Sequence, residues 1–258
     1  MKKPEVGLLP LYLKLYDEVL PGLRKDLESF LNKVISVIKN HDIDVACGKI
    51  CTLKEEFDLE IKNFESAGVC AIITLHLAYS PSLESINALA ATDLPIIVLD
   101  TTPDYEFGPE SDPARIMKNH GIHGVQDMCN LLLKNGKSFE IVAGHWSEPD
   151  VIEQLEVKVK SAFLAWHFKN NRVGRIGGPF KGMGDFQVEN SLLKNRYGID
   201  VLEFNPDEVA YYIPGPGEAG VKEEISSDRK FFLQGELSEA CLVNSIRMID
   251  VVFMNRDP

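Results

Sequence analysis

The sequence predicts an α/β protein, a doubly wound parallel sheet followed by a second, incomplete α/β domain. Short apolar runs alternate strictly with helix-period segments over the first hundred residues, as parallel sheets with crossover helices require. Leu94-Pro95-Ile96-Ile97-Val98-Leu99 is apolar without a break, the composition of a strand covered on both faces. The runs end on His76 and Tyr79, on Asp100-Thr101-Thr102 and on His145-Trp146, and sheets of this kind hold ligands beyond the carboxyl ends of their strands.

In chain order, 6–11 reads as a buried strand. A long helix over 17–40 follows, with Leu27, Phe30, Leu31, Val34, Ile35 and Ile38 on one side and its start split by Pro21 and Gly22. A strand over 44–50, a helix over 53–66 and a strand over 70–75 come next, then a helix from Ser80-Pro81 through Leu89 and the strand 94–99. The stretch 101–119 is rich in Pro, Gly and acid and reads as a long, functional loop. A helix over 121–134 carries Val125, Met128, Cys129, Leu131 and Leu132, and 140–143 is a strand leading to His145 and Trp146. Ser147-Glu148-Pro149 opens a helix, since Ser suits an N-cap and Pro the first turn. Val151, Leu155, Val159, Ala162, Phe163 and Trp166 recur on one of its faces. Beyond it, strands over 173–176 and 200–204 alternate with helices over 187–197 and 206–211; 221–230 is a charged stretch, and 237–254 is a last helix with no strand after it. The expected division is 1–169 and 170–258.

Bulk composition narrows the function. A formal charge of −12 with a pI near 5.0 argues against nucleic acid, which needs clustered Lys and Arg. No apolar run is long enough to span a membrane and none has the form of a signal peptide. Five scattered cysteines, Cys47, Cys51, Cys70, Cys129 and Cys241, suit a reducing cytoplasm rather than a disulfide framework.

Several groups invite a chemical role, each beside a plainer one. The segment GGPFKGMG, 177–184, follows a strand but matches neither phosphate-binding glycine pattern, with Lys181 before Gly182 and no Ser or Thr beyond; it lines a ligand or simply turns the chain through positive φ. His120 and His123, three apart, share a helix face as metal ligands do, or lead into the helix. Cys47 and Cys51 have no second pair to complete a metal site. His145 is a base or a satisfied, half-buried histidine; Asp100, Asp104 and Glu106 are functional acids or solvated ones. Ser80 and Ser147 precede helices as caps, and no GxSxG nucleophile is present.

The segments GHWSEP (144–149) and RIGGPFKGMGDF (175–186), with Leu15-Tyr16-Asp17-Glu18, Tyr79-Ser80-Pro81 and Asn119…His123-Gly124 in the same order, resemble the L-arabinose isomerase and L-fucose isomerase group. The resemblance covers most of residues 1 to about 210 and implies a Rossmann-like N-terminal domain followed by part of a middle α/β domain. It further implies a cytoplasmic, homo-oligomeric, Mn²⁺-dependent aldose–ketose isomerase acting on a small sugar through an ene-diol, a reaction that needs a metal to polarise the oxygens and carboxylates to carry the proton. In that group the acids and metal histidines lie further along the chain. The expectation is therefore an N-terminal part that is inactive alone and binds no metal tightly, with no catalytic residue or metal ligand of its own. Carried over are substrate-lining roles for His123, which in the group reaches a neighbouring subunit's site, for Met183 and for Tyr79. Leu13 stands where the group has a glutamine, His76 is one position out of register, and Val125-Gln126-Asp127 replaces the group's GREF run. The alternatives are a non-catalytic sugar-binding or regulatory α/β module, or a structural partner completing another subunit's site.

Overall fold

The computed structural model describes residues 3–178, 181–184, 188–232, 235 and 237–253. The chain forms two compact units, Met1–His167 and Phe168–Pro258.

In the first unit, β1 (Glu5–Leu11) is followed by α1 (Leu15–Val19) and α2 (Leu23–Lys39), β2 (Asp44–Cys47), α3 (Lys54–Ala67), β3 (Ala71–His76) and α4 (Ser82–Ala91). Then come β4 (Ile96–Asp100), α5 (Ile116–Asn119), α6 (Gly121–Lys134), β5 (Phe139–Ala143) and α7 (Pro149–Asn170), the last running on into the second unit. All five strands are parallel, in the order β2-β1-β3-β4-β5, so the fold is the doubly wound α/β sheet the sequence predicts. Successive strand residues point to opposite faces, and each face has its own core. Leu8, Ile73, Leu75, Ile97 and Leu99 meet Leu27, Phe30, Val34 and Ile38 of α2 and Leu155 and Val159 of α7. Leu9, Ile72, Ile96 and Val98 meet Phe57 and Phe64 of α3, Leu89 of α4 and Met128 and Leu132 of α6. The continuous apolar runs of β3 and β4 thus follow from burial on both sides.

Local chemistry sets the element ends. The α1–α2 break falls at Leu20 to Gly22, where Pro21 lacks an N–H to continue the first helix. Glu56 starts α3: its Oε2 accepts from the Thr52 amide at 2.6 Å, the Thr52 hydroxyl at 2.9 Å and the Leu53 amide at 3.0 Å. Gly68, at φ 72°, stops that helix in the left-handed conformation. Gly7 lets α3 lie on β1, since a Cβ there would stand 2.6 Å from the Phe64 ring.

Two stretches depart from expectation. Residues 101–119 are not loop throughout: Asp112 accepts from the Ala114 amide at 2.9 Å and starts a 3₁₀ turn, Pro113–Arg115, that runs into α5. The charged stretch 221–230 lies inside a helix. β2 also ends early, at Cys47, and pairing with β1 resumes only at the single bridge Leu11 to Cys51.

In the second unit β6 (Arg172–Ile176) and β7 (Asp200–Phe204) form a two-stranded parallel sheet linked through α8 (Asn190–Tyr197). After α9 (Pro206–Ala210), the helices α10 (Ala219–Phe231) and α11 (Glu239–Phe253) close on Val221, Ile225, Leu242 and Ile246. Pro179, Phe180, Asp185, Phe186, Gln187 and Met254, which figure in the sequence readings above, lie outside the described residues. Among the described residues no helix is long and apolar enough to cross a membrane.

Candidate functional site

The strand order reverses between β1 and β3. The segment after β1 runs to α2 on one face of the sheet, and that after β3 to α4 on the other, so the carboxyl ends of these two strands form the topological switch point at which such sheets hold ligands. Tyr12 and Tyr16 follow β1 there, and His76, Tyr79 and Ser80 stand at or after the end of β3. The junction of α5 with α6 brings His120 and His123 to the same place.

His120 is the common contact. The Tyr16 hydroxyl lies 3.0 Å from His120 Nε2, and Nδ1 lies 2.8 Å from the Ile116 carbonyl oxygen. Tyr79 stacks on the imidazole with planes 9° apart and centroids 6.2 Å apart. The His123 ring stands 5.8 Å from the His120 ring, and its Nδ1 lies 3.3 Å from the His120 carbonyl oxygen. Tyr79 is half-buried and His123 exposed. Tyr16 is buried, and that burial, with Tyr79 nearby, pushes its phenol pKa up.

Beneath this corner the packing is tight. Gly121 and Gly124 of α6 press on the end of β3: a Cβ on Gly121 would stand 2.9 Å from the His76 carbonyl oxygen, and one on Gly124 would stand 2.6 Å from His76 Cδ2 and 3.1 Å from the Ser80 amide. His76 is buried, and loss of hydration pushes its pKa down to about 3, against a smaller opposing pull from Asp127. Its ring nitrogens, the Tyr12 hydroxyl and the Ser80 hydroxyl are buried without a hydrogen-bond partner among the described residues. His76 is therefore a neutral wall of the site.

A concavity of about 840 Å³ opens beyond β4 and β5 between the loop residues 103–106 and 108–112, Arg115 and His145. Arg115 holds this loop through Asp104 at 2.9 Å and the Glu106 carbonyl at 3.3 Å, and Asn119 donates to Asp104 at 2.7 Å. Burial of Asp104 is outweighed by the Asn119 and Arg115 hydrogen bonds, so its carboxyl is held below the usual range; that of Asp100 is pushed up by burial. Glu106 is exposed. The Trp146 amide donates to the Thr101 hydroxyl at 2.9 Å, tying the ends of β4 and β5 together.

The remaining candidates separate from these sites. Neither serine caps its helix: Pro81 precedes α4, and the Ser147 hydroxyl meets His145 Nδ1 at 2.7 Å. Cys47 is exposed and Cys51 buried, and both thiols are free. In the second unit Met183 is 38% exposed, and Gly182 beside it turns at φ 95°, as Gly177 does at 72°, a conformation that only glycine adopts without strain. Lys181 is exposed. Among the described residues no three His, Cys, Asp or Glu side chains are grouped to hold a metal ion. The described donor set does not fit Mn²⁺, and no chemical step is assigned through it.

Comparison with known proteins bears on this site. No family model matches the chain. Curated relatives at low identity are L-arabinose isomerases. That of Geobacillus stearothermophilus is 23% identical over 185 residues, which is 71% of this chain and 37% of that protein. That of Anoxybacillus flavithermus is 21% identical over 176 residues, 67% and 35% respectively; that of Bifidobacterium longum strain NCC 2705 is 23% identical over 159 residues, 61% and 31%. The chain thus spans about a third of the length of the curated relatives it matches. A solved structure of the Escherichia coli transcriptional repressor ascG overlaps 97% of this chain and 91% of its own at 12% identity, with a TM-score of 0.27, too loose a superposition to carry an argument.

Proposed function

We propose that this chain is the sugar-contacting N-terminal region of an aldose–ketose isomerase of the L-arabinose isomerase type. One observation carries the reading: Tyr79 and His123 converge on a single histidine at the switch point of the sheet. A match covering 71% of the chain necessarily includes both residues. Aromatic and imidazole faces pack against the C–H face of a sugar ring. His123 Nδ1 must donate to the His120 carbonyl, which can only accept, so in the neutral ring Nε2 is left to accept a sugar hydroxyl.

In this reading the chain supplies substrate contacts rather than proton transfer. The manganese ion and the carboxylates of the isomerisation belong to other parts of the complete protein, and His123 serves a neighbouring copy in a homo-oligomer. Met183, in the second unit, is a substrate contact by the same resemblance. Leu13, where the group carries a glutamine, removes a polar contact, so the preferred sugar differs from L-arabinose or is held by fewer hydrogen bonds.

Calorimetric titration with L-arabinose and L-fucose, with and without Mn²⁺, tests the proposal, together with an aldose-to-ketose assay. Weak sugar binding lost in Tyr79→Ala and His123→Ala, without turnover, is the expected result. Turnover by this chain with Mn²⁺, abolished by His123→Ala, would show that catalytic carboxylates lie within it. Tight binding independent of metal would favour a sugar-sensing module instead.

A further inference from the structure

We infer that His120 is the positioning residue of this corner: with Nδ1 on the Ile116 carbonyl and Nε2 on the Tyr16 hydroxyl, it sets the planes of Tyr79 and His123 against a polyol ring. The inference rests on the sugar reading of the same site and adds a residue to it.

A backbone carbonyl oxygen only accepts, so the nitrogen 2.8 Å from the Ile116 oxygen carries the proton. In the neutral ring Nε2 then offers a lone pair, and the Tyr16 hydroxyl 3.0 Å away is the donor. Bonds at opposite corners of the imidazole fix its rotation about both side-chain torsions. The buried Tyr16 gains the partner its hydroxyl needs, and its own orientation is braced by the Tyr12 ring, edge-on at 5.9 Å.

Two exposed or half-exposed rings inherit this orientation. Tyr79 lies 9° from parallel with the imidazole at 6.2 Å between centroids, an offset-stacked pair that favours this inclination of the phenol ring. His123 is bonded to the His120 backbone and faces its ring at 57°. The result is a corner with two differently inclined faces, the shape that meets one face and one edge of a pyranose or furanose. An unanchored imidazole would leave both rings to be ordered by the ligand, at a cost to binding. His120 has no reacting atom to touch and is not catalytic in this scheme.

The test is long-range ¹H–¹⁵N NMR of the full chain, with His120 and His123 assigned from His120→Gln and His123→Gln, followed by titration with L-arabinose. The wild-type His120 should show the Nδ1–H tautomer. His120→Leu, which removes both polar anchors, should weaken sugar-induced shifts of His123 by about tenfold, the size of one lost hydrogen bond with its ordering cost. His120→Gln, whose amide carries both a donor and an acceptor, should restore most of the affinity. An Nε2–H tautomer, unchanged binding in His120→Leu, or equal losses in the Leu and Gln variants would overturn the positioning role while leaving the sugar site standing. Absence of any L-arabinose-induced shift at His123 or Tyr79 in the wild-type chain would overturn the sugar reading itself and this role with it.

Discussion

Replacing Gly124 by alanine tests the close approach of α6 to the end of β3. The added methyl would stand 2.6 Å from His76 Cδ2, 2.9 Å from His76 Nε2 and 3.1 Å from the Ser80 amide. His76 is 3% exposed and Ser80 is wholly buried, so neither can swing out to solvent. Overpacking of this kind costs about 1–3 kcal/mol, while the intrinsic helix preference of Ala over Gly returns about 1 kcal/mol. The net expectation is a loss of up to about 2 kcal/mol, or a fall in Tm of up to about 8 °C for a unit of this size. Both tryptophans, Trp146 and Trp166, belong to the first unit, so urea unfolding followed by tryptophan fluorescence reports on that unit alone. Gly22→Ala, where nothing stands within 4 Å of the new methyl, is the clash-free control and should lose about 0.5–1 kcal/mol through the poorer N-cap alone. If Gly124→Ala instead stabilised the unit by the full helix-preference gain of about 1 kcal/mol, the close contact of α6 with His76 would be wrong.

Acid should weaken the first unit through His76. Its pKa is about 3 in the fold against 6.5 for the free side chain, so between these values the unfolded chain binds the extra proton and stability declines as pH falls. His76→Leu should flatten that decline in urea midpoints measured from pH 7 to pH 4, and parallel curves for the two proteins would remove His76 as its cause. Glu56→Ala should cost about 1–2 kcal/mol in the same assay, because one carboxylate oxygen satisfies two amides and a hydroxyl at the start of α3; a change below a few tenths of a kcal/mol would rule out that cap.

Where burial imposes a pattern on the chain, the sequence was readable. β1, β3 and β4 are buried on both faces and announce themselves as unbroken apolar runs, and α6 was bounded correctly by Gly121 and Lys134. α10 was missed because it turns only Val221 and Ile225 inward and is otherwise charged, a signal too thin for a periodicity to emerge. Asp112-Pro113 did carry a legible start for the 3₁₀ turn, hidden within a segment whose overall composition reads as loop. At the candidate site, the resemblance names Tyr79 and His123, whereas the spacing offers His120 only as a metal partner of His123 or as a residue leading into the helix. Its role depends on Tyr16, 104 residues away in the chain. No spacing rule joins two such residues; only the strand order does.

That order also governs how the protein is made. β1 lies inside the sheet, between β2 and β3, yet it is translated before the other strands of that sheet. Its pairing with β3 waits for residues 71–76, some sixty-five residues later, which at about 5–20 residues per second is roughly 3–13 s. For that interval Leu8, Leu9 and Leu11 lack the neighbours that later bury them completely. The nascent chain therefore offers an apolar segment to the ribosome exit and to chaperones well before the switch point that β1 helps to build exists.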